Sequence, residues 1–117
     1  MIKDEKLFYW EEEFGAAVMI ADSEGRIVYM NKKAIETYAS DGGEKLIGKN
    51  LQECHQPAST EIIQRIMREH CSNTYTIEKK GIKKLIYQAP WFHHGICSGI
   101  VELSIILPAD MPHFIRE

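Results

Sequence analysis

Gly15 to Tyr38 reads GAAVMIADSEGRIVYMNKKAIETY, and the local pattern of this stretch decides the fold. Ala17–Ala21 is an apolar run of strand length. Asp22-Ser23-Glu24-Gly25 is a turn, in which Gly25 suits a left-handed position and Asp22 can accept a bond from the backbone two residues on. Arg26–Met30 is the return strand, and Asn31 is a good N-cap for a helix running to about Tyr38. Asp41-Gly42-Gly43 ends that helix and begins a loop.

Toward the carboxyl end, Glu44–Leu51 predicts a short turn or helix broken by Gly48. Pro57 and Ser59 introduce a helix from about Thr60 to His70, with Ile62, Ile63, Ile66 and Met67 on its buried side. After Cys71-Ser72-Asn73 the period changes to two. Thr74–Lys79, Ile82–Trp91 and Ile96–Leu107 predict three antiparallel strands, turned by Lys80-Gly81 and by His93-His94-Gly95. The order β-β-α-α-α-β-β-β is an α+β architecture, a five-stranded antiparallel sheet with helices on one face.

Toward the amino end, residues 3–14 predict a helix. Leu7, Trp10 and Phe14 share one face of it, widened by Phe8 and Tyr9. Glu11, Glu12 and Glu13 lie late in this helix, where the macrodipole disfavours negative charge, so it needs a surface to pack against. That surface is either its own domain or a second subunit.

The whole is a single domain of 117 residues, 44% hydrophobic and 26% charged, long enough to bury one core without staples. Fourteen basic against seventeen acidic residues give a net charge of −3. Lys79-Lys80 and Lys83-Lys84 are isolated pairs, not the basic stripe that a phosphate backbone requires, so no nucleic-acid partner is expected. Cys54, Cys71 and Cys97 have no C-x-x-C spacing, and MIKDEK has no apolar signal core. No apolar run approaches membrane length. These features predict reduced thiols and a cytoplasmic location.

Asp22, Gly25, Asn31 and the run Leu46-Ile47-Gly48-Lys49, in this order of elements and with Gly99-Ile100-Val101-Glu102-Leu103 as final strand, resemble a PAS domain. The resemblance spans about Phe14 to Leu107, with residues 1–13 as an amino-terminal helical extension and 108–117 as a tail. It implies a sensing and pairing module. Cys54-His55-Gln56-Pro57 also resembles a Cys-His-Pro element in a bacterial and archaeal PAS subgroup whose modules can follow a hemerythrin-like domain. Many PAS domains end in Asp-Ile-Thr and continue into a signalling helix. Here Ile106-Leu107-Pro108, with Pro112 beyond, opposes that continuation.

Chemistry-bearing groups are few. Adjacent Cys54 and His55 could ligate a metal or haem or form a reactive thiolate, or serve simply as cap and packing residues before a helix. Haem-binding PAS sensors of the oxygen-sensing kind carry their proximal histidine near the start of the long helix, where this chain has Glu61 or a neighbour. His55 lies several residues too early and His70 at the far end. The Asn-Cys-Arg-Phe-Leu-Gln run of the light-sensing flavin relatives is absent. His93 and His94 could bind a metal, but adjacent histidines on a hairpin usually point apart. No nucleophile triad, carboxylate pair, phosphate loop or kinase motif is present, so no enzyme activity is expected.

The last strand alternates between two sides. Ile100, Glu102, Ser104 and Ile106 form one; Val101, Leu103, Ile105 and Leu107 form the other, wholly apolar. A simple sheet would bury the apolar side. Likeness to PAS domains instead turns Glu102 and Ser104 toward an internal cavity and leaves the apolar side to be covered by the amino-terminal helix or a second subunit. A small molecule is then expected among Tyr29, Tyr38, Cys54, His55, Ile63, Met67, Tyr87, Trp91, Glu102 and Ser104, with Glu102 and His55 as polar anchors. Leu7, Trp10, Phe14, Val101, Leu103 and Ile105 would form a homodimer interface, and a signalling protein would read the change. The alternatives are a haem or metal sensor using His55, and a ligand-free dimerisation scaffold.

Overall fold

The computed structural model describes residues 9–54 and 57–117, without the side chains of residues 52, 54 and 57–59. Five strands form one antiparallel sheet: β1 (Ala17–Asp22), β2 (Ile27–Met30), β3 (Asn73–Lys79), β4 (Ile82–His93) and β5 (Ile96–Leu107). Their order is β2-β1-β5-β4-β3, so the first and last strands meet at the centre. Between β2 and β3 the chain forms α1 (Lys32–Thr37), two 3₁₀ turns at Ala39–Asp41 and Gly43–Leu46, α2 (Leu51–Cys54) and α3 (Pro57–Glu69). The α+β, PAS-like arrangement expected from the sequence is the arrangement found.

The opening turn is held as its residues dictate. Asp22 Oδ1 accepts from the Glu24 and Arg26 amides at 3.0 and 2.9 Å. Gly25 has φ +82°, and a Cβ there would press on Asn50 Oδ1 at 3.2 Å. The segment around Gly48 runs back along β2: the Gly48 amide donates to the Ile27 carbonyl, and the Ile27 amide to that of Lys49. This reciprocal pairing is why the Leu46-Ile47-Gly48-Lys49 run follows the hairpin.

Asn31 is fully buried and caps α1 through Oδ1, which accepts from the Ala34 amide at 2.9 Å. Oδ1 also accepts from the Val18 amide, and Nδ2 donates to the Glu11 and Ala16 carbonyls. One side chain thus joins β1, α1 and the amino-terminal segment with its amide hydrogen-bonding groups filled.

The core lies between the sheet and the helices. Met19, Ile27, Met30, Ala34, Leu46, Leu51, Ile63, Ile66 and Ile100 are its principal members. Ile63 and Ile66 are buried and Met67 packs beside them, as the helical period requires. Ile62, expected on the same side, lies at the edge of the buried face and is exposed.

The amino-terminal expectation is corrected in part. Residues 9–14 are not an α-helix but a tight turn closed by Glu12-to-Tyr9 and Phe14-to-Glu11 backbone bonds. The Glu11 carbonyl accepts from Asn31 Nδ2 as well as from Phe14, and the Glu12 carbonyl accepts from the Lys32 amide, which ties the turn to the head of α1. Leu7 and the rest of the predicted helix lie outside the described residues. Glu44–Leu51 resolves into the second 3₁₀ turn, an extended stretch and the start of α2.

Candidate functional site

The inner, helix-facing side of the sheet carries an unusual polar row. Register places Glu102 of β5 between Met19 of β1 and Gln88 of β4, and Gln88 opposite Asn73 of β3. Asn73 Nδ2 donates to Gln88 Oε1 at 2.9 Å, and Gln88 Nε2 donates to Glu102 Oε1 at 2.7 Å. The Tyr38 hydroxyl, from the C-cap of α1, donates to Glu102 Oε2 at 2.9 Å. A chain of hydrogen bonds therefore crosses three strands and ends on a helix. Among the described residues no buried side-chain polar atom lacks a partner, as the low-dielectric interior demands.

A cavity of about 400 Å³ opens beside this row. Met19, Ile27, Leu46 and Leu51 give it apolar walls; Tyr38 and Glu102 give it a polar floor; Asp41, Lys49 and Glu53 complete the lining. A much smaller recess of about 10 Å³ adjoins it, bounded by Ile63, Gln88, Ile100 and Glu102 among others. Burial, and after it the nearby Glu102 carboxylate, holds the Tyr38 hydroxyl well above its ordinary pKa. The same two causes raise Tyr75, which projects from β3 on this side.

Of the residues expected to line a pocket, the fold brings Tyr38 and Glu102 together on the floor and Ile63 beside them. Met67 is half-buried against the core. Ser104 is buried on the same sheet face, one inward-facing place further along β5, and borders a separate recess with Lys33, Glu36, Thr37, Lys84 and Ile106. Tyr29, Tyr87 and Trp91 must be corrected: alternation turns them to the outer face, where none lines the cavity. Tyr29 donates to Glu12 Oε2 at 2.6 Å and so holds the amino-terminal turn; burial and that bond raise its pKa. The Trp91 indole donates to the Ala21 carbonyl at 2.9 Å, across the close approach that Gly99 permits. The Cys54 side chain and His55 lie outside the described residues.

Sequence reasoning missed Gln88, Asn73 and the lining between Asp41 and Glu53. Gln88 was legible, since period two in β4 places a polar residue on the same side as the apolar Ile86. The loop residues carried no such period. The His93 and His94 rings are also closer than expected, 4.1 Å between centroids. Among the described residues no three His, Cys, Asp or Glu side chains gather as a metal site.

The outer face is apolar at its centre and polar toward β3, where Thr74, Thr76, Glu78 and Lys83 lie on it. Val18, Ile20, Leu85, Val101, Leu103 and Ile105 lie on it, the last three as expected and only half-buried. Trp10 and Phe14 meet edge to face at 5.1 Å on the amino-terminal turn, with 59% and 46% of their surface exposed.

The PAS domain family model matches residues 15–88. The chain belongs to the PAS domain family. PAS domains are sensory modules, generally without catalysis of their own. A PAS domain from Colwellia psychrerythraea is similar to this one, with TM-score 0.64 at 16% identity, over 88% of this chain and 95% of that chain. The Aer2 receptor of Vibrio cholerae, described as a dual PAS-haem oxygen sensor, matches at TM-score 0.60 and 20% identity, over 80% and 95%. The Vibrio cholerae VqmA dimer, a LuxR-type receptor, matches at TM-score 0.65 and 15% identity, over 92% of this chain and 52% of that one. At these identities the likeness is one of fold. No match was found among curated proteins. Among the described residues no helix of this PAS domain is long and apolar enough to cross a membrane.

Proposed function

We propose that this PAS domain binds a small molecule between the inner sheet face and the loop following α1, and pairs with a second copy through the outer face. The cavity of about 400 Å³ with Tyr38 and Glu102 on its floor carries this reading. It combines apolar walls with a few convergent polar groups, the usual make-up of a ligand site. Glu102 lies on β5, whose neighbouring residues Val101 and Leu103 face outward. A ligand that moves Glu102 therefore moves the strand presenting the pairing surface, and differential affinity for two packings of β5 would be the signal.

Pairing through the outer face is supported by the half-buried apolar side chains on β4 and β5 and by the exposed Trp10–Phe14 pair just before β1 in the chain. The structural relative VqmA is a dimer. In the cell we place this domain in the cytoplasm, with a signalling protein as reader.

The Aer2 relative gives the haem reading its place. The described lining does not fit haem: no histidine borders the cavity, and Asp41, Glu53 and Glu102 oppose the negative propionates. His55, the expected axial ligand, lies outside the described residues.

Native mass spectrometry beside an ultraviolet–visible spectrum of the purified protein tests both parts. A retained small molecule on a dimer is the expected result. A Soret band would replace the small-molecule reading by haem. A colourless dimer that takes up no added compound would leave an association scaffold.

A further inference from the structure

The hydrogen-bond inventory of the cavity is one-sided. The Tyr38 hydroxyl proton goes to Glu102 Oε2, and Gln88 spends an N–H on Oε1. What Tyr38 and Glu102 still offer a ligand is lone pairs, on the hydroxyl oxygen and the carboxylate; Gln88 keeps its second N–H, but it borders the small adjoining recess and not the main cavity. Asp41 and Glu53 add two more carboxylates to the lining, against one ammonium, that of Lys49, among the described residues. Among the described residues of the wall, acceptors and negative charge therefore exceed donors and positive charge. We infer that the cavity selects a small cationic, N–H-donating molecule of the amine or amidine class and disfavours carboxylates. This inference rests on the ligand-binding reading above and specifies its chemistry.

Two features reinforce it. Placing a carboxylate beside Glu102 would leave two negative charges facing each other in a site walled by Met19, Ile27 and Leu51, where desolvation makes repulsion costly. The tyrosines report the same field: burial first and Glu102 second keep Tyr38 and Tyr75 from ionising. An incoming anion meets the same two penalties, whereas an N–H donor fills the vacant lone pairs.

Three probes of one size separate the charge states: benzamidine, benzamide and benzoate. Binding is followed by NMR of labelled methionine, isoleucine and leucine methyls in the full chain. Benzamidine should shift Met19, Ile27, Leu46 and Leu51 and bind about tenfold or more tighter than benzoate, with benzamide between, as expected for a hydrogen bond to a charged group. Glu102→Gln should remove most of that preference. Asp41→Asn, at an exposed position that folding tolerates, should reduce it independently. Benzoate binding as tightly as benzamidine at these methyls would overturn the ligand class and leave the cavity reading standing. Shifts confined to other methyls, or none with any probe at millimolar concentration, would overturn both.

Discussion

The two faces of the sheet contrast in a way that reverses the simplest expectation. The inner face carries Asn73, Gln88, Glu102 and Ser104, and the three members of its hydrogen-bonded row engage one another and Tyr38. The outer face is almost wholly apolar along β5, yet Val101, Leu103 and Ile105 are only half-buried. Polar groups inside and apolar groups outside are each costly unless partnered. On the inner face the partners lie within the chain. The difference teaches that the polar groups of the inner face find their partners within the chain, whereas the apolar groups of the outer face stay half-exposed, which is what the pairing proposal rests on.

The strongest test removes what joins the two faces. Asn31→Leu would leave the Val18 and Ala34 amides and the Ala16 carbonyl without their side-chain partner, and the Glu11 carbonyl with the Phe14 amide alone. Urea unfolding should report a loss of about 4 kcal/mol, the scale set by several buried unsatisfied groups. A loss below about 1 kcal/mol would mean that water or neighbours replace the amide, and the two faces would not depend on this corner.

Gly99→Ala should come next. Gly99 has φ +148°, and its added Cβ would collide with the Ala21 carbonyl, the acceptor of the Trp91 indole. Destabilisation of about 3 kcal/mol is expected from strain at such a position. Loss of the Trp91 environment in tryptophan fluorescence would place the damage at the β1–β5 crossing.

Leu103→Glu puts a charge on the outer face while leaving the inner row intact. Sedimentation should show dimer affinity weakened by about 100-fold, which is ~2.7 kcal/mol. An unchanged solution mass would remove the outer face as the pairing surface.

The inner face is sharpened by pH. Because the folded-state pKa of Tyr38 is raised, its contribution to stability is fully present below the unfolded tyrosine value and is lost as pH rises above it. The wild type should therefore lose stability above about pH 10, by at most about 1.4 kcal/mol per pH unit from this group. Unfolding curves at pH 8 and above pH 10 should show a shallower fall for Tyr38→Phe. Equal slopes would mean that Tyr38 ionises as freely in the folded protein as in the unfolded chain.

The smallest effect is expected at Tyr29→Phe, which deletes the bond to Glu12 on the outer side. Stability should change by about 0.5 kcal/mol, near the lower end for a single hydrogen bond. Limited proteolysis should nevertheless cut the amino-terminal turn faster, and unchanged cleavage would detach that turn from Tyr29.

The strands and their order of appearance were legible because their periods are local. Gly25, Asp22 and Asn31 are each fixed by backbone geometry within a few residues, and the structure uses them as their chemistry requires. The alternation of β5 was also legible, but not which side was inside. That choice depends on Met19 and Gln88, neighbours brought in from β1 and β4. Tyr29, Tyr87 and Trp91 face outward for the same reason: their parity relative to Glu102 is set by the register that pairs β2 with β1 and β1 and β4 with β5, which only the folded sheet supplies.

Sequence alone determined the five strands, the α+β class and the place of Glu102 and Ser104 on one side of β5, since these follow from bonds and periods spanning a few residues. The tertiary structure alone decided that Tyr38, 64 positions away, closes on Glu102, and that Asp41, Lys49 and Glu53 share a cavity with it. It also decided that the amide of Asn31 reaches Glu11 and Ala16 as well as its own helix. Such meetings depend on how strands twist and helices lie across them, and no short-range pattern encodes a contact between residues whose separation is set by the whole sheet.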